Sequence, residues 1–232
     1  MGNKVLFITG TDTGVGKTVV AGAIAAYLRE QGKSVGVMKP AETGCREKGG
    51  ELVPADAALL KKISGTADTL ELICPYRFAE PLAPAVAAKR AGMKIDVRRI
   101  KKNFADISSR HDFTIVEGAG GLMVPLSGKY LFLDLAEELG LPLVIVGRAG
   151  LGTINHTLLT VMAARSRNIE ISAIILNQNR RAGGIAEETN PAAVKELSGV
   201  SRVLTLPYMP GPKYRSSLLR AGELLASQGF LA

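Results

Sequence analysis

A glycine-rich run that ends in lysine and threonine is the first chemical feature of this chain. Residues 10–18 read GTDTGVGKT and follow the apolar run Val5–Ile8. Glycines let backbone N–H groups curl around phosphate oxygens, and a following helix adds its positive dipole. Lys17 would bridge the β- and γ-phosphates of a nucleotide, and the Thr18 hydroxyl would bind Mg²⁺. The general P-loop pattern needs a glycine at position 11, where this chain has Thr11, so its loop is one residue longer. A glycine-rich turn without function is the alternative, which the strand–loop–helix context disfavours.

Two carboxylates are candidate metal ligands near this loop. Glu117 ends the apolar run 113–117 and precedes the glycine-rich run 118–121, which would allow a ligand to approach closely. Mg²⁺ in such sites takes one or two carboxylates together with phosphate oxygens and waters. Asp56 is the second candidate. On local grounds it is equally well explained as a first-turn residue that complements a helix dipole.

A second lysine follows the next predicted strand. Lys39 ends the run 34–39, and Thr43 comes four residues later. Ligands of open α/β sheets bind beyond the carboxyl ends of the strands, so Lys39 would lie beside the P-loop. Two lysines at one γ-phosphate would neutralise the charge that develops during phosphoryl transfer. The alternative, an exposed cation at a strand end, stays open.

The elements that must position these residues alternate between apolar strands and amphipathic helices. This alternation predicts a single α/β domain, residues 1–232, of the P-loop NTPase type. Its sheet is expected to be doubly wound and mostly parallel, with helices on both faces. A proline-rich stretch, Leu70–Met93, is predicted as a loop that feeds a short helix, and a mobile loop is expected between Glu42 and Val53. The predicted strands are Lys4–Thr9, Ser34–Lys39, Phe113–Glu117, Leu143–Gly147, Ile171–Asn177 and Arg202–Pro207. The predicted helices are Thr18–Gln31, Pro54–Ser64, Leu133–Leu139, Thr153–Arg167, Pro191–Leu197 and Arg215–Ser227.

Composition excludes several classes of protein. The 232 residues carry 29 Lys and Arg against 21 Asp and Glu, a net charge of +8, and the densest basic segment is 94–102. Apolar residues at helical spacing interleave with these cations, so we interpret the segment as a solvated helix face and predict no nucleic-acid partner. No apolar run approaches the ~20 residues that cross a bilayer. Two cysteines cannot form a disulfide framework, and the apolar run near the start is too short for a signal peptide. We therefore predict a cytoplasmic protein without a membrane partner.

In combination, these motifs resemble those of dethiobiotin synthetases, the ATP-dependent carboxylases of biotin biosynthesis. The extra residue in the phosphate loop is a feature of this family, and the motifs occur in the expected order from the first strand to about Pro210. The matching segments are residues 10–18 (GTDTGVGKT), 39–40 (KP), 43–44 (TG), 54–56 (PAD), 117–121 (EGAGG), 152–156 (GTINH) and Asn177.

The resemblance implies a specific reaction. The substrates are 7,8-diaminononanoate, CO₂ and ATP, and the products are dethiobiotin, ADP and phosphate. One amine captures CO₂ as a carbamate, which attacks the γ-phosphate to give a carbamic–phosphoric anhydride. The second amine then closes the cyclic urea and expels phosphate. Such a site needs cations around the phosphoryl group, a metal ion and a pocket for both amines.

The resemblance also implies roles for residues at the phosphates. Thr13, Lys17 and Lys39 are implied to be catalytic, with Thr13 positioning the carbamate and the two lysines stabilising the transferring phosphoryl group. Asn177 would recognise the adenine edge, because its amide can both donate and accept hydrogen bonds. The implied Mg²⁺ ligands are Thr18, Asp56 and Glu117. The residues implied to bind ATP are Gly14, Val15, Gly16, Lys17, Thr18, Val19, Asp56, Glu117, Gly118, Ala119, Gly120, Asn177, Gln178, Pro207, Tyr208 and Met209.

A separate group of residues is implied to bind the diamine. Thr43 stands where other members of the family carry serine, and it keeps the hydroxyl that meets the substrate. Gly150, Leu151 and Asn155 resemble the segment that closes the substrate carboxylate site from a neighbouring subunit, which implies a homodimer. A buried polar role in a dimer helix is the alternative for Asn155.

A different class of protein shares the expected fold. Partitioning and cell-division-site ATPases switch and dimerise on nucleotide instead of making a metabolite. They carry an additional lysine early in the phosphate loop, where this chain has Asp12. This difference argues against a nucleotide switch, which is nevertheless the alternative function.

Overall fold

The computed structural model describes residues 4–178, 181, 184–209 and 215–231. Within them the strands and helices alternate along most of the chain. The strands are β1 (Lys4–Gly10), β2 (Val35–Met38), β3 (Ala41–Thr43), β4 (Arg46–Lys48), β5 (Glu51–Val53), β6 (Tyr76–Phe78), β7 (Phe113–Gly121), β8 (Pro125–Ser127), β9 (Tyr130–Leu131), β10 (Leu143–Arg148), β11 (Ile171–Asn177) and β12 (Val203–Leu206). The helices are α1 (Lys17–Glu30), α2 (Ala55–Ser64), α3 (Leu70–Ile73), α4 (Pro84–Arg90), α5 (Val97–Ser108), α6 (Phe132–Glu138), α7 (Thr153–Arg165), α8 (Ile185–Ser198) and α9 (Arg215–Ser227).

Six strands form a central parallel sheet in the order β12-β11-β10-β1-β7-β2. Side chains of a strand alternate between its two faces, and both faces are covered by helices. Leu6 and Ile8 of β1 pack in the core beneath α1, α2 and α9, whereas Phe7 packs in the opposite core against α5 and α6. A third cluster lies between the sheet and helices α7 and α8. The predicted doubly wound α/β fold is confirmed.

The carboxyl ends of β1 and β7 lie side by side and form the edge that bears the phosphate loop. Ile8 is paired with Glu117, and Gly10 with Gly121, with an irregularity between these pairs. Strand β7 therefore runs four residues beyond the predicted end at Glu117. The prediction was too short because a glycine-rich run lacks strand-like side chains, although its backbone still pairs with β1.

We expected a mobile loop between Glu42 and Val53. The segment instead contains two short strands, so the expected absence of regular secondary structure was wrong. Strands β4 and β5 pair as an antiparallel hairpin. Gly49 and Gly50 form its turn with φ of 63° and 81°. Two consecutive residues with positive φ match the twist of a hairpin and favour glycine.

Two other helix and strand predictions needed correction. Helix α8 begins at Ile185, six residues before the predicted start at Pro191. Glu187 in its first turn reaches back to the residue before the helix, where its Oε2 accepts a hydrogen bond from the Gly184 N–H at 2.9 Å. Proline was mistaken for a helix start because it favours the first turn, yet here it lies in the interior. The stretch Leu70–Met93 includes the expected short helix, α4, but its predicted loop also contains helix α3 and strand β6, which pairs with β3.

Other features of the described residues agree with the composition. No described helix is long and apolar enough to cross a membrane. Helix α5 buries Ile100 and Ile107 and exposes Arg98 and Lys102, which confirms the amphipathic pattern predicted for the basic segment.

Candidate active site

The phosphate loop joins β1 to α1 and contains two glycines in the left-handed region. Gly14 has φ of 73° and Gly16 has φ of 103°. A Cβ on Gly16 would lie 2.1 Å from Nδ2 of Asn177, so only glycine fits there. That Nδ2 donates a hydrogen bond to the Val15 carbonyl at 2.9 Å. The Asn177 side chain at the end of β11 therefore stabilises the backbone conformation of the loop.

Lys17 and Asp12 make contacts within the loop. The Lys17 Nζ donates to the Asp12 carbonyl oxygen at 3.0 Å, and the Lys17 side chain is buried. Burial lowers the pKa of Lys17, against the opposing effect of the nearby Glu117 carboxylate. The Asp12 carboxylate accepts a hydrogen bond from the Thr13 N–H at 2.6 Å. These bonds hold the buried Lys17 ammonium against the backbone of the loop.

A second ammonium group lies between two carboxylates. The Lys39 Nζ is 2.8 Å from Asp56 Oδ2 and 2.6 Å from Glu117 Oε1. Thr18 completes the cluster, since its hydroxyl donates to the same Glu117 oxygen at 2.8 Å. Residues from β7, α1, α2 and the end of β2 therefore meet at one point. The structure thus brings together the second lysine and all three predicted metal ligands.

The charges in this cluster determine which groups stay ionised. Burial alone would lower the pKa of Lys39, but the Glu117 and Asp56 carboxylates outweigh it and raise that pKa. Burial would raise the pKa of Asp56, yet the Lys39 ammonium lowers it overall. An opposite charge within hydrogen-bond distance favours both charged forms. Lys39 therefore stays cationic and Asp56 stays anionic at neutral pH.

The donor set suits a magnesium ion that is shared with a nucleotide. Glu117 Oε2 is buried and has no hydrogen-bond partner among the residues that the structure describes. A buried carboxylate oxygen without a partner is costly unless a ligand or ion satisfies it. Over the same residues there is no group of three or more His, Cys, Asp or Glu side chains that could hold a metal. Two carboxylates and a hydroxyl fit Mg²⁺ because phosphate oxygens and waters complete its six ligands.

These residues line a cleft of about 690 Å³, which we call the P-loop cleft. Its volume lies within the range of small-molecule sites. The wall formed by predicted residues consists of Thr13, Gly14, Gly16, Lys17, Thr18, Val19, Lys39, Thr43, Asp56, Glu117, Ala119 and Gly120. The wall that the sequence did not predict consists of Glu42, Pro81, Leu82, Ala83, Pro84 and Val124.

Other predicted residues lie outside the described lining of this cleft. Val15 is a buried residue of the loop, and a Cβ on Gly118 would lie 3.2 Å from the Phe7 ring. Asn177 ends β11, and Gln178 follows it with its N–H bonded to the Leu206 carbonyl at 2.8 Å. The remaining members are Pro207, Tyr208 and Met209, which follow β12, and Gly150, Leu151 and Asn155, which lie after β10 and in the first turn of α7.

Two charged residues at the site were missed in the sequence, in addition to the uncharged residues of the unpredicted wall. Arg148 ends β10 and donates from one guanidinium nitrogen to Asp12 Oδ2 at 3.1 Å and to the Thr13 carbonyl at 3.3 Å. The rule that strand ends face the ligand could have identified it. Glu42 lies in β3, and its carboxylate accepts two backbone N–H bonds from the start of α2. No sequence motif marks Glu42, because its partners lie fourteen and fifteen residues away.

Comparisons with known proteins agree with the geometry. A family model described as an AAA domain matches residues 4–213. The ATP-dependent dethiobiotin synthetase of Thermodesulfovibrio yellowstonii is 44% identical over 211 residues, 88% of each chain. That of Anaeromyxobacter dehalogenans is 43% identical over 223 residues, 96% of this chain and 97% of the relative. Among solved structures, a ParA family ATPase from Chlorobium tepidum has a TM-score of 0.57 at 19% identity and covers 97% of this chain and 93% of its own. That likeness shows the P-loop NTPase-like fold alone.

Substitution of Gly16 tests whether the loop depends on its backbone geometry. In Gly16→Ala the new Cβ would collide with Asn177 Nδ2 and break its bond to Val15. We expect the Kd for ATP to rise by roughly 100-fold, since strain and clash add. Gly14→Ala is the matched control, because nothing lies within 4 Å of its Cβ and only the φ of 73° opposes it. The Kd of Gly14→Ala for ATP should stay within roughly ten-fold of the wild-type value. Equal losses in equilibrium ATP binding would contradict the role of the Asn177 contact.

Proposed function

This chain belongs to the ATP-dependent dethiobiotin synthetase family, an enzyme family of biotin biosynthesis, and we propose that its P-loop cleft carries out carboxylation and ring closure of 7,8-diaminononanoate. The observation that carries the proposal is the Lys39 ammonium, which lies 2.6 Å from Glu117 Oε1 at the edge that bears the P-loop. A nucleotide triphosphate held by the loop would place its terminal phosphate between Lys17 and Lys39. The cleft continues from there past Thr43, which leaves room for a diamine.

The two lysines would carry the phosphoryl step. Lys17 is buried within the loop, and Lys39 faces it from the end of β2. As the bond between the γ-phosphorus and the ADP oxygen breaks, negative charge develops on the leaving group and on the peripheral oxygens. Fixed cations in a partly desolvated cleft stabilise that charge without reorganisation. Because carboxylates hold Lys39 cationic, its charge is available before substrate binds.

The carbon chemistry would take place between Thr43 and Thr13. One amine of the diamine adds to the carbon of CO₂ and loses a proton, which gives a carbamate. A carbamate oxygen attacks the γ-phosphorus, and ADP leaves with the electron pair of the broken bond. The second amine then attacks the carbamoyl carbon, loses a proton and expels phosphate as the ring closes. Thr13 and Thr43 would hold the carbamate and the amines close enough for these steps.

Mg²⁺ would be held by Thr18, Asp56 and Glu117. When bound, it would neutralise phosphate charge and polarise the γ-phosphoryl group. The buried Glu117 oxygen without a described partner supports this assignment. The contact between the Thr18 hydroxyl and Glu117 already brings two of the three ligands together.

The base of ATP would lie against the ends of β11 and β12. Asn177 ends β11, and its amide nitrogen is engaged with Val15, which leaves its carbonyl oxygen to accept from an adenine amino group. Gln178 is held beside it through a backbone bond to β12. The segment 207–209 follows β12 at the same edge of the sheet, and its Tyr208 is 38% exposed.

A homodimer would complete the diamine site. Asn155, Leu159 and Met162 are exposed at spacings of four and three residues, so they form one stripe along α7. Leu159 and Met162 are 56% and 66% exposed, and Leu151 just before the helix is 95% exposed. Large apolar side chains exposed together on one helix face indicate a contact surface. A second copy packed here would bring Gly150, Leu151 and Asn155 towards the cleft of its neighbour.

A nucleotide switch is less well supported. The relatives named dethiobiotin synthetase are 41–44% identical over most of the chain, whereas the ParA family structure is 19% identical and supports the fold only. The early loop lysine expected of such switches is replaced by Asp12, which bonds to Thr13 and Arg148.

The reaction itself is tested with purified protein, ATP, Mg²⁺, 7,8-diaminononanoate and bicarbonate. We expect ADP release that depends on both the diamine and bicarbonate, with one dethiobiotin formed for each ADP. Mass spectrometry of the product checks the stoichiometry. ADP release that is unaffected by omission of the diamine would support the nucleotide switch instead.

Substitution of Lys39 tests the phosphoryl step. Lys39→Gln keeps a donor for Glu117 but removes the positive charge, so we expect kcat to fall by roughly 10²- to 10³-fold with a modest change in ATP affinity. Lys61→Gln is the matched control, because Lys61 Nζ donates to a backbone carbonyl, that of Asp68, and lies outside the described cleft lining. Thermal melting of both variants checks folding. Near-normal turnover of a folded Lys39→Gln protein would remove Lys39 from the mechanism.

Substitution of Thr43 tests the diamine site. Thr43→Val keeps the shape of the side chain and removes the hydroxyl, so the KM for the diamine should rise about ten-fold. The KM for ATP should change by less than about two-fold, because the hydroxyl does not bind phosphate. Thr43→Ser should behave like the wild type. Steady-state kinetics with each substrate varied in turn distinguishes these cases, and equal losses for both substrates would count against Thr43 as a diamine residue.

The homodimer is tested by sedimentation equilibrium. A charge introduced into an apolar contact is unfavourable without a partner, so we expect the wild type to be a dimer and Leu159→Glu to be a monomer. Leu197→Glu is the matched control, since Leu197 on α8 is 60% exposed and lies outside the stripe. A monomeric wild type, or a dimeric Leu159→Glu, would disprove the proposed interface.

A further inference from the structure

Glu42 is a buried carboxylate in the cleft to which neither the motifs nor the proposed reaction assigns a role. It is only 5% exposed and lies in β3, directly before Thr43. Its Oε1 accepts a hydrogen bond from the Asp56 N–H at 2.9 Å, and its Oε2 accepts one from the Ala57 N–H at 3.0 Å. Both oxygens therefore bind the first turn of α2.

Helix α2 depends on this carboxylate for its start. The first N–H groups of a helix have no partner within the helix and are usually satisfied by the residue just before it. Here that residue is Pro54, which makes no side-chain cap. Glu42 supplies the missing acceptor from another strand, thirteen residues before the helix begins. Its negative charge also complements the helix dipole.

A cap from a distant strand has a structural consequence that a local cap would not have. Glu42 holds the backbone nitrogen of Asp56, while the Asp56 carboxylate contacts the Lys39 ammonium. The position of that carboxylate is therefore set from both ends. Since Thr43 follows Glu42 on the same short strand, the metal carboxylate and the diamine hydroxyl are fixed relative to one another.

Burial of the Glu42 carboxylate carries an electrostatic cost. Burial raises the pKa of Glu42, and the Lys39 charge and the two backbone N–H bonds oppose that effect. The Asp56 carboxylate nearby adds repulsion. A helix start on the surface needs no buried charge of this kind, because a short polar side chain or water can satisfy it.

We propose that Glu42 is a positioning residue that holds Asp56 in place for Mg²⁺ and sets its distance from the diamine strand. Outer residues that orient metal ligands typically change metal affinity by about 10- to 100-fold when they are lost. This inference rests on the proposed role of Asp56 as a Mg²⁺ ligand. It predicts that loss of Glu42 weakens metal-dependent nucleotide binding and leaves metal-free binding intact.

The experiment measures equilibrium binding of a non-hydrolysable ATP analogue to the full chain as Mg²⁺ is titrated, with EDTA as the metal-free state. For Glu42→Ala we expect a higher Mg²⁺ requirement. The Mg²⁺ concentration that gives half of the maximal increase in analogue affinity should rise roughly ten-fold. In EDTA the Kd of Glu42→Ala for the analogue should stay within about two-fold of the wild-type value, because the loop binds phosphate without Asp56. Glu42→Gln keeps one acceptor oxygen and should give an intermediate shift.

Asp96→Ala is the matched control. The Asp96 carboxylate also accepts a backbone N–H at the start of a helix, that of Arg98 in α5 at 2.9 Å, but it lies outside the described lining of the cleft. We expect it to lower the melting temperature and to leave the Mg²⁺ titration unchanged. If Glu42→Ala behaves in the same way, Glu42 is only a helix cap and the proposal is overturned.

Two further outcomes separate this inference from the proposed function. If Glu42→Ala does not fold, the Glu42→Gln titration decides, and a wild-type curve for that variant overturns the proposal. Asp56→Asn tests the premise: a wild-type Mg²⁺ curve for Asp56→Asn would remove Asp56 from the metal site and with it both assignments. A shifted curve for Asp56→Asn with an unshifted curve for both Glu42 variants would overturn the positioning role alone.

Discussion

The Lys39 ammonium, held between the Asp56 and Glu117 carboxylates, is the interaction on which the rest of the site depends. Lys39 is 3% exposed and Glu117 is fully buried, so neither charge is stable there without the other. Loss of one partner from a buried pair typically costs about 3–5 kcal/mol, because the remaining charge is left uncompensated. The pair also joins β2 to β7 and, through Asp56, to α2. One electrostatic cluster therefore sets the positions of Lys39, Asp56 and Glu117 together.

The sheet order makes this cluster possible. Strand β1 lies between β7 and β10, with β2 on the far side of β7, so the carboxyl ends of all four strands meet at one edge. The P-loop follows β1, and the end of β11 supports it through the bond from Asn177 to Val15. Two cationic groups, Lys17 and Lys39, and three carboxylates, Glu42, Asp56 and Glu117, then line the same cleft from separate elements. The cleft is therefore assembled from residues that lie far apart along the chain.

Sequence motifs identified the charged residues that meet in the cleft more completely than the residues that hold them in position. The P-loop, Lys39 and Glu117 were all identified by residue type and by their position after a predicted strand, and the structure brings them together. Asp56 was ambiguous on local grounds, because a first-turn carboxylate needs no partner beyond its own helix. Glu42 and Arg148 were missed, since each acts through a contact with a residue distant in sequence. The early end predicted for β7 and the late start predicted for α8 have a common cause: glycine and proline were interpreted by their local preferences, which pairing and packing overrode.

The amino-acid sequence by itself determined the fold class, the phosphate loop and the family, because these follow from local patterns and from motifs that occur in a fixed order. Apolar periodicity is set by the geometry of single strands and helices, and a phosphate loop is formed by consecutive backbone groups. Only the tertiary structure decided that Asp56 contacts Lys39, that Glu42 caps α2 and that Asn177 supports Gly16. These contacts join residues far apart along the chain, and their distances depend on how the sheet, the helices and the charges pack together.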